Sequence, residues 1–333
     1  MRQGPFTKRY TPDWVALENA LESDDKAGKQ RRDKVLADLP RHYRNICHQL
    51  ALARSRAYSY QLIDRLQRLV MRGHQRLYSI RPSLGRLVWR FLLIEYPRLV
   101  RSEWRIMLLS AALFFGPLLA MLIVIQWQPE MAFTVIDPAD ARSYEAMYSP
   151  ELQDRLGRER EADSDFLMFG FYVKNNTGIG FQTFAGGLTF GLLTVFFLLF
   201  NGLLIGAVAG HLTAAGYGET FWTFAVGHSA PELIAIILSG AAGLKLGMAL
   251  FIPGRYTRMA ALRNASRIGV RLVYGAVLLF FFAAFVEAFW SSIAGMQPAI
   301  KYAAGAFLWL IVLSWLLLLG RHDERIASKT GSG

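Results

Sequence analysis

The sequence has a single cysteine, Cys47, in 333 residues. One thiol excludes an intramolecular disulfide and any metal cluster built from several cysteines. The sequence also lacks a Walker motif, a Rossmann glycine fingerprint, a nucleophile triad and the His-Glu-x-x-His pattern of zinc proteases. We therefore predict no enzymatic activity, no metal and no cofactor, so that any energy input would have to come from a partner.

A cleavable signal peptide is not expected either, because no short apolar stretch with a cleavage site stands near the N-terminus. Long hydrophobic runs are abundant, and 53% of all residues are hydrophobic. Several runs reach the roughly 20 residues needed to cross the hydrocarbon of a bilayer. The sequence predicts an all-α polytopic membrane protein, and we expect it in the cytoplasmic (inner) membrane of a bacterium.

The net charge of +12 is concentrated at the N-terminal side. Residues 1–105 contain 22 Lys and Arg against 10 Asp and Glu, whereas residues 127–171 contain 10 acidic against 4 basic side chains. Basic residues beside a first span are the usual mark of the cytoplasmic side. This pattern predicts that both termini are cytoplasmic and that nucleic acid is not a partner.

Four regions follow from the distribution of apolar and charged residues. We predict a cytoplasmic helical region over residues 1–81 and an amphipathic elbow helix over residues 82–97 that lies in the membrane interface. The transmembrane domain covers residues 98–320, with an extracytoplasmic loop at 127–171. Residues 321–333 form a cytoplasmic tail, which ends in what we interpret as a cloning remnant. The basic N-terminal region and the elbow predict binding to an anionic lipid surface.

The transmembrane domain is predicted to contain about six hydrophobic helices, including a broken or re-entrant pair. The second span is expected to return to the cytoplasm at His211. Five arginines between residues 255 and 271, with no acidic residue among them, are also expected there. Residues 219–252 must then enter the membrane and come back, and Pro231 divides them into two short helices.

Polar residues interrupt the apolar runs, where they are costly and usually functional. The predicted structural or functional core consists of Asn175, Asn176, Asn201, Gly202, His228, Ser229 and Glu232. Three interpretations of the segment from His228 to Glu232 stay open: a capping box in which Ser229 caps a helix and Glu232 closes it, a His–Glu pair or proton relay, and a metal or catalytic site. Glu287, near the end of its span, is expected to reach the interface.

Glycines recur four residues apart, a spacing that lets membrane helices pack closely. The predicted packing positions are Gly187, Gly191, Gly202, Gly206, Gly210, Gly243 and Gly247. The ridge formed by Gly202, Gly206 and Gly210 predicts a homodimer. The alternative is that this ridge packs wholly within one chain.

The sequence resembles the stage II sporulation protein M family over most of its length. The resemblance rests on Trp14, Tyr43-Arg44, Leu50-Ala51, the segments Gly73–Tyr78 and Phe91–Pro97, Arg101, Asn175-Asn176, the glycines from 186 to 191, Asn201-Gly202, and His228 to Glu232. Ser229 stands where family members often have glycine, which leaves the local backbone open.

The resemblance implies an integral membrane scaffold that anchors or positions envelope-acting partner proteins. The founding member of the family anchors a complex that directs peptidoglycan-degrading enzymes during engulfment. Other members tend to be encoded near a MoxR-type AAA ATPase. The hydrophobic core is also distantly similar to the permease half of one class of ABC transporter, so the alternative is a permease or flippase-like subunit that works with a separate ATPase.

Overall fold

The computed structural model describes residues 2–24, 29–78, 84–150, 165–293 and 295–321. Every regular element in these ranges is helical, which confirms the predicted all-α fold. The chain divides into two compact units, residues 1–87 and 88–333. The helices are α1 (Gln3–Asp24), α2 (Lys29–Ser55), α3 (Tyr60–Tyr78), α4 (Leu84–Arg90), α5 (Tyr96–Ser102), α6 (Trp104–Trp127), α7 (Pro138–Met147), α8 (Asp165–Ala185), α9 (Leu192–Ala214), α10 (Gly218–Phe251), α11 (Arg258–Val286) and α12 (Pro298–Leu318).

The first unit has a hydrophobic core of its own between α1, α2 and α3. Trp14, Leu17 and Leu66 are fully buried in it. The indole of Trp14 donates a hydrogen bond of 2.6 Å to Gln49 Oε1, so the buried ring has its polar atom satisfied. This arrangement is that of a small helical bundle with its own hydrophobic core.

The second unit contains five described helices that are long and apolar enough to cross a membrane: α6, α9, α10, α12, and α11 together with its continuation to Ser291. α8 runs beside them for its full length. Phe166 in its first turn packs edge-on against Phe289, with 5.4 Å between ring centres. The turn that follows its last residue packs against Gly243.

The predicted loop at 127–171 is too long, because α8 begins inside it. Residues 165–171 were expected to belong to the loop at 127–171, but the helix begins at Asp165. This stretch contains three polar residues in a row, Lys174, Asn175 and Asn176, which lower its hydropathy. The sequence therefore did not indicate a helix here, although packing against neighbouring helices stabilises one.

The helices of the second unit meet at two ends. At one, which we call the elbow end, Lys245 Nζ of α10 donates a hydrogen bond of 2.6 Å to Glu103. Arg101 there donates to the carbonyl oxygens of Leu316 and Leu319, which lie at the C-terminus of α12. At the other, which we call the loop end, residues 128–150 pack on α9 and α10.

The elbow helix extends further than predicted. Instead of ending at Pro97, the helical backbone passes through a π turn at Phe91–Glu95 and continues in α5 to Ser102. Pro97 is tolerated because it lies in the first turn of α5. Tyr96 fixes this segment to the bundle, since its hydroxyl donates a hydrogen bond of 3.0 Å to the carbonyl oxygen of Leu272.

Glycines close the turn between α8 and α9. Gly191 has a left-handed backbone with φ of 85°, which favours glycine. A Cβ on Gly187 would overlap the carbonyl group of Gly243, and a Cβ on Gly247 would overlap the backbone of Gly191. The turn therefore packs backbone to backbone against α10.

The glycine ridge of α9 packs against α6 within the same chain. A Cβ on Gly202 would overlap the carbonyl oxygen of Phe114, and one on Gly206 would overlap that of Leu118. Gly210 faces the side chain of Ile125. The ridge is thus covered by α6 within one chain and does not offer these glycines to a second copy.

α10 is one continuous helix of 34 residues that runs through Pro231. The predicted re-entrant pair is therefore wrong. A new helix start at Ser229 would leave several backbone N–H groups without partners inside hydrocarbon, whereas Pro231 within a continuous helix removes one hydrogen bond. The capping box is wrong for the same reason, and the hydroxyl of Ser229 donates instead to the carbonyl oxygen of Val226 at 3.1 Å.

The direction of successive helices still agrees with the charge pattern of the sequence. α9 starts beside Gly247 at the elbow end and finishes beside Glu145 at the loop end. α8 supplies the crossing that the re-entrant pair was meant to supply. The arginine-rich segment after Phe251 consequently lies at the same end as the start of α6.

Candidate functional site

Three ionisable side chains meet inside the second unit, between α10 and the end of α11. His228 Nε2 lies 3.7 Å from Glu232 Oε2. One nitrogen or oxygen atom from each of His228, Glu232 and Glu287 lies within 4.8 Å of the other two. His228 is 7% exposed and Glu287 is 8% exposed. We call these three residues the His–Glu cluster.

Two backbone features bring the cluster together. His228 and Glu232 are four residues apart on α10 and share one face of that helix. Glu287 belongs to a π turn, Glu287–Ser291, that follows α11 and buries both of its end residues. Such turns are frequent at functional sites. The expectation that Glu287 reaches the membrane interface is wrong, because its side chain is buried against α8 and α10.

Further polar residues hold the cluster in place. Ser291 Oγ lies 3.1 Å from His228 Nδ1, and Lys301 Nζ donates a hydrogen bond of 2.9 Å to the Ser291 carbonyl oxygen. The amide of Asn176 on α8 donates to Glu287 Oε2 at 3.5 Å. The cluster is therefore linked to α8, α10, the π turn and α12.

Residues 128–150 cover the cluster from the loop end. Tyr148 packs edge-on against Phe224, with 5.7 Å between ring centres. Phe224 packs edge-on against the imidazole of His228 at 5.2 Å. Burial raises the pKa of the Tyr148 phenol, and the nearby charge of Glu287 raises it further.

Asn201 and Gly202, which the sequence grouped with the cluster, lie elsewhere. The amide of Asn201 donates a hydrogen bond of 2.7 Å to the carbonyl oxygen of Phe197 on its own helix. Gly202 contacts α6. These two residues contribute to the packing of α9 rather than to the cluster.

Asn175 and Ser229 border the cluster without joining it. Asn175 is exposed on α8, and its amide donates to Asn176 Oδ1 at 3.1 Å. Ser229 Oγ accepts a hydrogen bond of 3.2 Å from the indole of Trp309 on α12.

A second buried histidine lies at the loop end. His211 on α9 is 7% exposed, and its Nε2 lies 2.8 Å from Glu145 Oε1 in α7. From the sequence, His211 was expected at the cytoplasmic end and Glu145 in the extracytoplasmic loop. Separating them was wrong, because the missed helix α8 reverses the direction of α9.

The outward face of α8 carries three polar side chains among its exposed phenylalanines and Leu167. Lys174, Asn175 and Gln182 are exposed. A groove of about 450 Å³ lies beside this face, between α8, α10 and α11, and its lining residues are Lys174, Thr177, Gly178, Gly180, Phe181, Ser239, Val273, Val277 and Phe280.

Sequence reasoning missed Ser291, Lys301 and Tyr148 and misplaced Glu287. Glu287 is the one acidic residue in its apolar run, and Lys301 is the one basic residue in the last span. Each stands near the end of a span, where a charged residue ordinarily reaches water. Their positions therefore predicted exposed side chains, although a single charge in an apolar run could have indicated a buried one. Tyr148 gave no signal, because its role depends on the fold of the loop.

The cluster has two chemical options. Two carboxylates in a poorly hydrated interior cannot both stay ionised without compensation. They can hold a proton, with the imidazole as its acceptor, or they can hold a cation together with the imidazole. Among the described residues, His228, Glu232 and Glu287 are the group that could bind a metal ion.

Two family models match the chain. The model described as Stage II sporulation protein M matches residues 107–292, which include the whole His–Glu cluster and Ser291. The model described as Domain of unknown function (DUF8413) matches residues 4–79. No curated protein and no solved structure matches.

Proposed function

The chain belongs to the stage II sporulation protein M family, and from that premise we propose that it is an integral membrane scaffold that anchors and positions envelope-acting partner proteins. In this proposal the protein has no catalytic activity of its own. Its partners bind through their transmembrane segments, and the first unit offers a further surface on the cytoplasmic side.

The observation that supports the proposal most is the polar outward face of α8. Lys174 and Asn175 stand near the middle of this 21-residue helix, about 14 Å along it from Asp165 at 1.5 Å per residue. Polar side chains at that depth are costly when they face lipid. A partner helix that covers them removes this cost.

The groove on α8 also fits a particular kind of partner. Gly178 has open space where a Cβ would stand, and it allows the close approach that is typical of membrane helix pairs. Lys174 is cationic, so the expected partner is a transmembrane helix that carries a carboxylate at matching depth.

Photo-crosslinking tests this surface. A photoreactive amino acid replaces Phe181, which is 65% exposed beside the groove, or Leu310 on α12, which is also 65% exposed. In intact membranes we expect a protein adduct from position 181, and mass spectrometry should identify a membrane protein with an acidic transmembrane helix. Lys174→Leu should abolish the adduct and Lys174→Arg should keep it. Adducts with lipid alone, or equal protein adducts from position 310, would contradict the proposal.

The alternative function is a permease or flippase-like subunit that works with a separate ATPase, in line with the AAA ATPase systems that the resemblance implies. The buried His–Glu cluster favours it, because ionisable residues inside membranes often mark substrate or ion paths. In that case the adducts should identify an ATPase-linked subunit, and the loss of Glu287 should stop transport without releasing the partner.

We also propose the inner membrane as location, with both termini in the cytoplasm. In a Cys47→Ser background, single cysteines replace Ser143 in the loop segment or Arg255 after α10, both of which are exposed. An impermeant thiol reagent applied to intact spheroplasts should label position 143 and spare position 255. The opposite pattern would reverse the orientation.

The first unit and the elbow are proposed to bind anionic lipid, since each Lys or Arg near such a surface contributes about 1 kcal/mol. Residues 1–97 should bind vesicles that contain phosphatidylglycerol and should dissociate as salt rises. Binding that ignores salt and lipid charge would indicate a protein partner instead. The predicted homodimer stays a proposal, and mass measurement of the purified particle would decide it.

A further inference from the structure

We propose that the His–Glu cluster binds one divalent transition-metal ion of the zinc class, with His228 Nε2, Glu232 Oε2 and one carboxylate oxygen of Glu287 as its ligands. The ion ties α10 to the π turn after α11. This site does not depend on the proposed scaffold role, and the experiment below can fail without affecting that role.

The spacing of the three groups fits a shared ion better than direct hydrogen bonds. Hydrogen bonds between nitrogen and oxygen measure about 2.7–3.2 Å, whereas His228 Nε2 and Glu232 Oε2 are 3.7 Å apart. Ligand atoms bound to one zinc ion at about 2.0–2.2 Å are roughly 3.3–3.6 Å apart in tetrahedral geometry. One ligand atom from each of the three residues already lies within 4.8 Å of the other two, so small side-chain rotations complete the site.

The imidazole is oriented as a metal ligand would be. Its Nδ1 lies 3.1 Å from Ser291 Oγ, and a proton on Nδ1 would be donated to that hydroxyl. This tautomer directs the lone pair of Nε2 towards the two carboxylates. Metal-bound histidines usually donate their other ring N–H to an oxygen in this way, and this contact fixes the ring.

The charge balance points in the same direction. Glu232 and Glu287 bring two negative charges into the interior, and a divalent cation neutralises both. The nearby ammonium of Lys301 is hydrogen-bonded to the backbone carbonyl of Ser291. An imidazole with two carboxylates is a ligand set suited to zinc and its first-row neighbours.

Asn176 lies beside the carboxylate of Glu287. Its amide donates to Oε2 of that carboxylate at 3.5 Å, and Asn176 itself is 2% exposed.

The test uses the full chain, purified in detergent, stripped with a chelator and titrated with zinc chloride. We expect one zinc ion per chain by elemental analysis, and an X-ray absorption spectrum with one imidazole and oxygen neighbours. Glu287→Gln should weaken binding by more than about 100-fold, and Ser291→Ala, which removes the orienting contact, by about 10–100-fold.

His211→Gln is the matched control, because it removes the other buried histidine that contacts a glutamate. It should leave zinc stoichiometry unchanged. If Glu287→Gln does not yield folded protein, the wild-type chain decides alone: its thermal midpoint should rise when zinc replaces chelator. No bound zinc, no zinc-dependent rise, or binding that Glu287→Gln leaves intact would overturn the proposal.

Discussion

Among the described residues of the second unit, the two buried histidines make different contacts with the same type of residue. His211 meets a single carboxylate at hydrogen-bonding distance, 2.8 Å from Glu145. His228 faces two carboxylates, the nearer at 3.7 Å. Glu145 is 31% exposed at its side chain, whereas Glu232 is 19% exposed.

This difference separates a structural contact from a candidate site. In the His211–Glu145 pair, donor and acceptor satisfy each other's hydrogen bonding. The pair also holds α7 against the end of α9. The three groups of the His–Glu cluster are separated by more than hydrogen-bonding distance, 3.7 Å between His228 and Glu232. The cluster also contains two carboxylates where an ion pair with one imidazole would need one. Surplus charge with room beside it is what a bound cation or a transferred proton requires.

Removing the histidine of the cluster should have the largest effect. His228→Ala removes the imidazole that contacts Ser291 and packs against Phe224, and leaving buried polar groups unsatisfied costs up to about 3 kcal/mol. Denaturant unfolding in detergent measures this loss. A change below that of His211→Ala would remove the distinction between the two histidines.

The next largest effect should come from Glu232. Because the capping box is absent, the carboxylate itself matters, and Glu232→Gln should cost nearly as much as Glu232→Ala, about 2 kcal/mol in each case. The same unfolding assay, run beside a growth assay, measures both variants. Full stability and function in Glu232→Gln would show that an amide suffices there.

His211→Ala should have a smaller and more local effect of about 1.5 kcal/mol, the low end for a hydrogen bond to a charged group, because Glu145 is partly solvated. Amide hydrogen exchange should rise in Pro138–Met147 and stay unchanged at Glu287–Ser291. Faster exchange in the π turn would mean that the two sites are coupled.

Ser229→Ala should have the smallest effect. It removes the hydrogen bond from Trp309, which contributes about 0.5–1 kcal/mol. Thermal stability in detergent measures it, with Ser266→Ala on α11 as the control. A loss of more than about 2 kcal/mol would restore a capping role for Ser229.

The sequence was sufficient for the fold class and for part of the cluster. The long apolar runs predicted the spans, and the cost of polar residues in a membrane singled out Asn176, His228 and Glu232. The sequence was not sufficient to predict that α10 is continuous. The Ser-x-x-Glu pattern expresses only a local preference for a helix start. The backbone hydrogen bonds that must be satisfied in hydrocarbon favour an unbroken helix instead. Glu287 was misplaced because the π turn that buries it depends on packing against α8 and α10.

The polar face of α8 has a consequence for biogenesis. α8 leaves the ribosome before α9, yet its lysine and asparagines make it a poor candidate for independent release into lipid. α9 is strongly apolar, and Gly187 and Gly191 join the two helices in a tight turn. The translocon would therefore have to retain α8 until α9 emerges, and the pair would enter the bilayer together as a helical hairpin.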